Sequence, residues 1–361
     1  MAYTTIDDPS AYFQTALWSG DNATTQNITN DGNSDLQPDW VWVKCRNTSG
    51  NGFDHTVWDT SRGVDNNINK SLSPSQTDSE GLGDNVTTTA QLGGVSAMLS
   101  DGFTVREGSI DNDSRYVNES SRTYVGWQWK CNGGTTSTNS DGTVNTTMQL
   151  NSTAGFSIIT WTGNGSNTGT VGHGLGAIPD CIIEKGRESD SNWSVAFPKF
   201  ENSKLMPLNT DAAFGAASGM SSYNSSTFVD GSGSASEDYI AYCFKPIQGY
   251  SKFGKYIGNG DADGTFVYTG FSPAWVMVKR SDSSNNWHMH DSKRVPYNSN
   301  NKTLYANTND AEGTEDFDML SNGFKLRESG GGYNASGGTY VYMAFAENPF
   351  VSSEGVPTTA R

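Results

Sequence analysis

A phrase made of a proline, an apolar run and a basic residue occurs three times, and it constrains the fold more than any other feature. It reads QPDWVWVKCR at 37–46, IPDCIIEKGR at 178–187 and SPAWVMVKRS at 272–281. Repetition of this kind is the signature of a repeated structural unit, so it has to be considered before single motifs are interpreted. A phrase used three times predicts scaffold and not an active site.

Further phrases recur in the same order around it. A strand ending in a glycine turn precedes it, as LWSGDN at 17–22, TWTGNG at 160–165 and KYIGNG at 255–260. An aromatic alternating strand closes each copy, as TYVGWQWK at 123–130, DYIAYCFK at 238–245 and TYVYMAFA at 339–346. We therefore predict three related segments in tandem.

The predicted organisation follows from these phrases and from local composition. The segments are residues 1–131 with an inserted polar loop at 64–97, then 154–249 and 250–350, with a polar linker at 132–153 and a tail at 351–361. A chain of 361 residues is longer than one hydrophobic core usually serves. We expect two or three domains, one core to each segment.

The fold class predicted from the pattern is all-β, with three antiparallel, jelly-roll-like β-sandwich units. Short strands with turn residues every ten or so positions favour sandwiches. Consecutive apolar residues in the proline phrase predict a strand covered on both faces. Asn-Gly after the first strand suits a two-residue type I′ hairpin. The one candidate helix is a short turn at 309–317.

Composition excludes several classes of protein. Hydrophobic residues make up 34% and charged residues 17% of the chain, which is not the high charge typical of disorder. The formal net charge of −16, with no basic stripe, argues against nucleic-acid binding. No long apolar run predicts a membrane span, and the start MAYTTIDDPSAYFQ lacks the pattern of a secretory signal.

The cysteines do not have the spacing of a zinc site. They are Cys45, Cys131, Cys181 and Cys243, with no CxxC pair among them. Each lies in or beside an apolar strand, which predicts buried, reduced thiols. Disulfides between Cys45 and Cys131, or between Cys181 and Cys243, remain an alternative.

The repeats provide an internal control for candidate metal ligands, because a site should lie where the segments differ. His288 and His290 alternate along one strand and share a face, as a metal site would require. No third ligand is near in sequence, so we predict no metal and no cofactor. His55 and His173 are isolated, and neither has a nucleophile motif beside it.

Asp59 and Asp291 are the candidate catalytic carboxylates. Each begins a short turn with an arginine three residues later, Arg62 or Arg294, and the structural interpretation is a turn carboxylate paired with that arginine. A glycosidase would need a second carboxylate roughly 5–9 Å away. Phe197 stands at the corresponding place in the second segment, which leaves a catalytic role open in the first and third segments only. We predict the structural role, with no catalytic residue.

Aromatic residues offer a possible carbohydrate platform. Trp18, Trp161 and Tyr256 occupy one equivalent strand position, which favours packing between sheets over sugar stacking. If the protein contacts carbohydrate, we expect the non-repeated polar loops at 64–97, 201–236 and 295–315 to do so, because loops held by a rigid scaffold commonly carry function.

The order of these phrases, from AYFQTALWSGDN to NASGGTYVYMAFAENPF, resembles a family of marine bacteriophage virion proteins described as tail-fibre-like or of unknown function. The resemblance covers residues 8–350, and the third segment matches most closely. The four cysteines, with KCR at 44–46, depart from the family's usual pattern.

The resemblance implies a non-enzymatic structural protein, made in the bacterial cytoplasm and displayed on the outside of the virion. Its expected role is a tail-fibre or adhesion component that contacts the host surface. The alternatives are a capsid decoration or head-fibre protein and, less favoured, a carbohydrate-degrading enzyme. Expected partners are other tail or capsid proteins and a host surface glycan, with no nucleic acid and no membrane. Rows of strand edges also suggest a homo-oligomer, with a trimer as one form.

Overall fold

A computed structural model describes residues 3–50, 53–65, 68–81, 93–108, 114–216 and 219–358. These residues form antiparallel β-sheets, with one 3-10 turn at Pro9–Ala11, so the predicted all-β, sandwich-like class is confirmed. In the same ranges, no helix is long and apolar enough to cross a membrane.

The strands of the first segment are β1 (Phe13–Ser19), β2 (Thr25–Ile28), β3 (Trp40–Cys45), β4 (Thr56–Asp59), β5 (Val64–Asp65), β6 (Ile68–Asn69), β7 (Ser71–Leu72), β8 (Gly94–Leu99), β9 (Gly102–Arg106) and β10 (Thr123–Trp129). Then come β11 (Ser137–Asn139) and β12 (Thr146–Asn151). The second segment contains β13 (Phe156–Asn164), β14 (Gly169–Gly172), β15 (Cys181–Gly186), β16 (Ser194–Phe197), β17 (Glu201–Pro207), β18 (Gly215–Ala216), β19 (Thr227–Asp230) and β20 (Ala235–Phe244). The third contains β21 (Ser251–Ile257), β22 (Phe266–Tyr268), β23 (Phe271–Arg280), β24 (Trp287–Asp291), β25 (Asn300–Tyr305), β26 (Gly313–Leu320), β27 (Gly323–Leu326) and β28 (Thr339–Pro349).

The three segments use the same strand order. The last strand of each lies between the first strand and the proline strand, as β1-β10-β3-β4, β13-β20-β15-β16 and β21-β28-β23-β24. The second strand pairs instead with the strand of the Phe-containing phrase, as β2-β9, β14-β19 and β22-β27. In the first two segments these pairs belong to separate sheets, whereas in the third β25 and β26 join them to the main sheet, which has eight strands in the order β21-β28-β23-β24-β25-β26-β27-β22.

The type I′ hairpins predicted at the glycine turns are wrong. Because β1 pairs with β10 and β2 with β9, the turn joins two layers and not two paired strands. A Cβ on Gly20 would lie 2.2 Å from the carbonyl oxygen of Glu119, which explains the glycine by close backbone approach. A Cβ on Gly163 would likewise lie 2.4 Å from the carbonyl oxygen of Ser234, and a Cβ on Gly258 would lie 2.3 Å from that of Ala335.

The proline phrase forms a strand covered on both faces, as predicted. Every residue of β3 is buried. Trp40 and Trp42 point into a large central core, whereas Val41 and Val43 point into a core inside the first segment. This alternation follows from the period of two in a β-strand.

The central core is shared by all three segments, which differs from the expectation of one core to each. It contains Trp40 of the first segment, Tyr242 of the second and Phe345 of the third. The rings of Trp40 and Tyr242 stack with centroids 4.2 Å apart. The domain boundaries remain a prediction, but each segment supplies one face of its main sheet to this core.

Three buried lysines connect the segments in a ring. The side chains of Lys44, Lys185 and Lys279 are at corresponding positions, and all are buried. The Nζ atom of Lys44 donates to the carbonyl of Asn309 at 3.4 Å, that of Lys185 to Thr77 at 3.1 Å and that of Lys279 to Asp211 at 3.1 Å. The first segment thus reaches the third, the second reaches the first and the third reaches the second. Burial lowers the pKa of each ammonium group to about 8.

Two local predictions differ from the structure. The helical turn expected at 309–317 is wrong, because Gly313–Leu320 forms β26 and pairs with Gly323–Leu326. Residues 132–153, predicted as a linker, contain β11 and β12, and β12 pairs with β13. The polar composition of this stretch indicated a linker, although Met148 and Leu150 are partly buried and pack on the second segment's core. Part of the predicted loop 64–97, at 66–67 and 82–92, lies outside the described residues.

Candidate ligand-binding cleft

The repeated aromatic residues pack between layers and form no surface platform. Trp18, Trp161 and Tyr256 each belong to the core of their own segment. Each stacks on the tyrosine of the closing strand, with centroids 5.4, 5.2 and 5.0 Å apart. The packing interpretation is therefore confirmed.

The turn carboxylates are buried ion-pair members, as the structural interpretation predicted. Asp59 and Arg62 are fully buried, and their Oδ2 and Nε atoms are 2.5 Å apart. Asp291 and Arg294 form the same pair at 2.5 Å. Backbone N–H groups donate further hydrogen bonds to each carboxylate, so both are held by groups of the protein itself.

His288 and His290 share a face of β24, and each has a structural environment. The Nδ1 atom of His288 lies 2.7 Å from Oε2 of Glu315. The ring of His290 stacks on Phe317 with centroids 4.3 Å apart, and burial lowers its pKa to about 3. Within the described residues, no group of three or more His, Cys, Asp or Glu side chains could hold a metal ion.

The two remaining histidines are buried in different segments. His55 accepts a hydrogen bond at Nδ1 from the indole of Trp42 at 2.8 Å, and burial places its pKa well below the usual range. His173 accepts at Nδ1 from the backbone N–H of Leu175 at 3.2 Å, and burial also lowers its pKa.

The four cysteines are free and buried, which confirms the prediction of reduced thiols. Burial raises the pKa of all four thiols. Cys181 and Cys243 are on neighbouring strands but point to different cores, the shared core and the second segment's own core.

The second segment contains an open cleft of about 560 Å³. Its lining comes from β15, β16, β17, β18 and β20 and from turn residues near 189–192, 212–213 and 231–234. Volumes of this size are typical of small-molecule sites. Several lining residues come from the polar stretch 201–236 that the sequence suggested for carbohydrate contact.

A short connection leaves the cleft open. Residues 107–122 precede the closing strand in the first segment and 327–338 in the third, but only 231–234 do so in the second. In the first segment, the longer connection supplies the carbonyl of Val117 to the indole N–H of Trp18 at 2.7 Å. In the second, the indole of Trp161 donates to Oδ2 of Asp230 at 3.0 Å instead.

Small side chains on β16 add to the opening. Ser194 and Ala196 face the cleft side of the sheet, where the third segment has His288 and His290. The first segment places the buried Trp58 at the position of Ala196. The second segment thus lacks the bulk that fills the corresponding space in its neighbours.

Two acidic residues stand where the other segments have apolar core residues. Glu184 aligns with Val43 and Val278, which lie in the cores of the first and third segments. Asp230 aligns in the same way with two apolar residues, Val105 and Leu326. Both acids are buried, at 5% and 4% exposure, so the second segment replaces two core contacts with carboxyl groups.

Glu184 is the least satisfied polar group of the cleft. Its side chain lines the cleft, and within the described part of the chain its Oε2 atom has no hydrogen-bond partner. Burial, and next the negative charge of Asp230, raise the pKa of Glu184 to about 8. At neutral pH the group is mostly a neutral carboxylic acid, which can donate a hydrogen bond.

Asp230, in contrast, has its hydrogen bonds supplied by the protein. Besides the indole of Trp161, the backbone N–H of Ser232 donates to Oδ1 at 3.0 Å. Asp230 therefore replaces the capping carbonyl of the longer connections. Glu184 has no comparable structural role.

Sequence reasoning did not single out Glu184 or Asp230. The signal was present, because each acid interrupts an apolar position that the other two segments keep. It was missed because the comparison was applied to histidines, turn carboxylates and aromatics, the residue types of known catalytic motifs. The cleft also depends on the short connection at 231–234, which a search for motifs does not detect.

The described residues form an all-β protein whose sheets pack around a shared core, with an open polar cleft beside β15, β16 and β17. The chain belongs to the family described as a domain of unknown function, DUF7483, whose profile matches residues 8–349. No curated protein and no solved structure matches the chain.

Proposed function

We propose that this chain is a non-enzymatic component of the exterior of a bacteriophage particle and that it contacts host surface carbohydrate through the cleft of the second segment. The observation that carries the proposal is the cleft itself, where the second segment has the short connection 231–234 and small side chains in place of the longer connections and larger side chains at the corresponding positions of the other two segments.

The lining suits recognition of hydroxyl groups. Ser189, Ser191 and Asn192 project from the turn after β15, and Ser232 and Ser234 from the short connection. Hydroxyl, amide and backbone groups held by a rigid sheet can donate to and accept from a sugar with little loss of conformational entropy. The neutral carboxyl of Glu184 adds a further donor.

The proposal that the chain is part of a bacteriophage particle rests on the resemblance of residues 8–350 to marine bacteriophage virion proteins. A surface component must stay folded outside a cell, and the shared core with its buried ion pairs supports that requirement. Asp59 and Asp291 are fully buried and paired with arginine, which favours binding over hydrolysis.

Blocking the cleft tests this function. Ser189 lies on the exposed edge of the cleft, and Ser283 is the corresponding exposed serine of the third segment, so Ser189→Trp and Ser283→Trp form a matched pair. We expect purified protein to bind host cells and to compete with phage adsorption, and Ser189→Trp to weaken both at least tenfold while Ser283→Trp does not. Equal binding by both variants, or no binding by the native chain, would contradict the proposal.

A second candidate is a capsid decoration or head-fibre protein. The ring of contacts among the three segments supports it, because one chain with three similar faces suits a threefold position on a shell. Antibody labelling that marks heads and not tails would favour this candidate. A carbohydrate-degrading enzyme would release reducing ends from host polysaccharide, and that activity would have to be lost in Asp59→Asn or Asp291→Asn.

A further inference from the structure

We infer that the ligand of the cleft carries a protonated amine, as an amino sugar with a free amino group does, and that this amine pairs with Glu184. The inference rests on the proposed function and deepens it, since it names the chemical class within carbohydrates that the cleft selects.

The cleft is acidic and lacks a positive charge of its own. Glu184 and Glu237 line it, and no lysine or arginine belongs to the described lining. The nearby Arg187 is already engaged, because its guanidinium donates to both carboxylate oxygens of Glu80 at 3.1 and 2.9 Å. Lys185 lies behind the lining, where its Nζ atom donates to Oγ of Ser191 at 3.1 Å and to the carbonyl of Thr77 at 3.1 Å, and the acid that acts on it most strongly is Glu237. A cationic ligand group would therefore pair with Glu184 and not with Glu237.

The buried position of Glu184 needs an explanation that the fold does not supply. A carboxyl without a partner is costly at a position where two other segments use valine. The surrounding serines could form hydrogen bonds with a neutral sugar hydroxyl, so such a ligand would not require an acid at this position. A protonated amine supplies both the missing hydrogen bond and a compensating charge.

A divalent metal ion fits the lining less well. Calcium takes six to eight oxygen ligands, and within the described residues no three or more His, Cys, Asp or Glu side chains are grouped so that they could hold a metal ion. A single positive charge with directional N–H donors matches one free carboxyl better.

Pairing with an amine has a measurable proton consequence. The titratable groups that act on Glu184 or are affected by it are Asp230 on β19, Tyr239 and Cys243 on β20 and Tyr223 from the turn before β19. Burial raises the pKa of the two tyrosines and of the thiol, so they stay protonated near neutral pH. A bound ammonium group favours the ionised form of Glu184, and binding at pH 7 should release a proton from it.

The experiment compares three disaccharides that differ at one substituent: β-1,4-linked glucosamine, its N-acetylated form and β-1,4-linked glucose. Binding to the full chain is measured by titration calorimetry at pH 7 in two buffers of different ionisation enthalpy. We expect the glucosamine disaccharide to bind at least tenfold more tightly than the other two and to release up to one proton. Glu184→Gln should remove the preference and the proton release, whereas Ser283→Trp should keep both.

The failures of the two proposals are distinguishable. If the neutral disaccharides bind as tightly as the amine, or if Glu184→Gln keeps the preference for the amine, the inference is overturned while the glycan-binding function stands. If no disaccharide binds but Ser189→Trp still weakens attachment to host cells, the inference alone fails. If neither the disaccharides nor the host cells bind, both proposals fail.

Discussion

The phenol of Tyr242 donates a hydrogen bond to Oδ2 of Asp59 at 2.7 Å, and this contact joins the second segment to the first inside the shared core. Trp127 and Asp291 make the corresponding contact at 3.1 Å between the first segment and the third. At the third junction the corresponding residues are Met343 and Phe197, which cannot form it. The hydrogen-bond donor and its carboxylate acceptor are thus both present at two junctions and both replaced by apolar residues at the third.

Because donor and acceptor occur together, we expect the removal of one of them to destabilise the protein strongly. Asp59→Asn leaves the fully buried Arg62 without its closest counter-charge, and we expect it to lower the free energy of unfolding by about 3 kcal/mol. A triple variant, Asp59→Phe with Arg62→Phe and Tyr242→Met, carries the apolar residues of the third junction. We expect it to lose less free energy of unfolding than Asp59→Asn. Urea denaturation of the two variants measures the difference, and a triple variant less stable than Asp59→Asn would contradict the account.

The buried lysines predict a dependence of stability on alkaline pH. The pKa of Lys185 is about 8 in the folded protein, below the usual 10.5, because burial disfavours its charge. Between these values the unfolded chain binds more protons, so this residue's contribution to stability rises with pH from 8 towards 10.5. Relative to Lys185→Met, the native chain should gain about 2 kcal/mol between pH 7.5 and pH 10. Equal pH profiles of the two proteins would refute the prediction.

The raised pKa of Glu184 predicts that stability falls as pH rises, which is the opposite of the effect of Lys185 and occurs at lower pH. Its pKa of about 8 lies above the usual 4.5, so the folded protein holds a proton that the unfolded chain loses in this window. Stability from this residue therefore falls as pH rises from 4.5 to 8. We expect Glu184→Val to be more stable than the native chain by about 4 kcal/mol at pH 8. At pH 4 this electrostatic advantage should be absent, and an advantage of equal size at both pH values would show that the charge of Glu184 is not its cause.

The shared core predicts that the segments do not fold separately. Residues 250–350 alone would expose Trp275, Met277 and Phe345, which are buried against the other segments in the full chain. We expect the full chain to unfold in one transition by calorimetry and the fragment 250–350 to show no cooperative transition. A fragment with a sharp transition near that of the full chain would mean that the central core contributes little.

Local patterns predicted much of the scaffold. Consecutive apolar residues identified strands such as β3 that are buried on both faces, and the short spacing of Asp59 and Arg62 predicted their ion pair. Both features are set by neighbours in sequence or by the period of a strand, which a single sequence contains.

Long-range features were not predictable in the same way. The role of Gly20 depends on a carbonyl of Glu119, far along the chain, and the shared core depends on how three sheets pack. The cleft combines a short connection, at 231–234, with the acid at Glu184, and only a comparison of equivalent positions in the three segments shows that either is unusual. The internal repeat contains that comparison, so part of the site could have been found from the sequence.

The most direct test of the central claim is hydrogen–deuterium exchange of the full chain with and without purified host surface polysaccharide. The account predicts slower exchange at 186–194, 205–215 and 231–237 around the cleft, with no change at the corresponding residues of the first and third segments. Protection confined to other surfaces, such as 295–315, or no protection in the presence of bound polysaccharide, would contradict it.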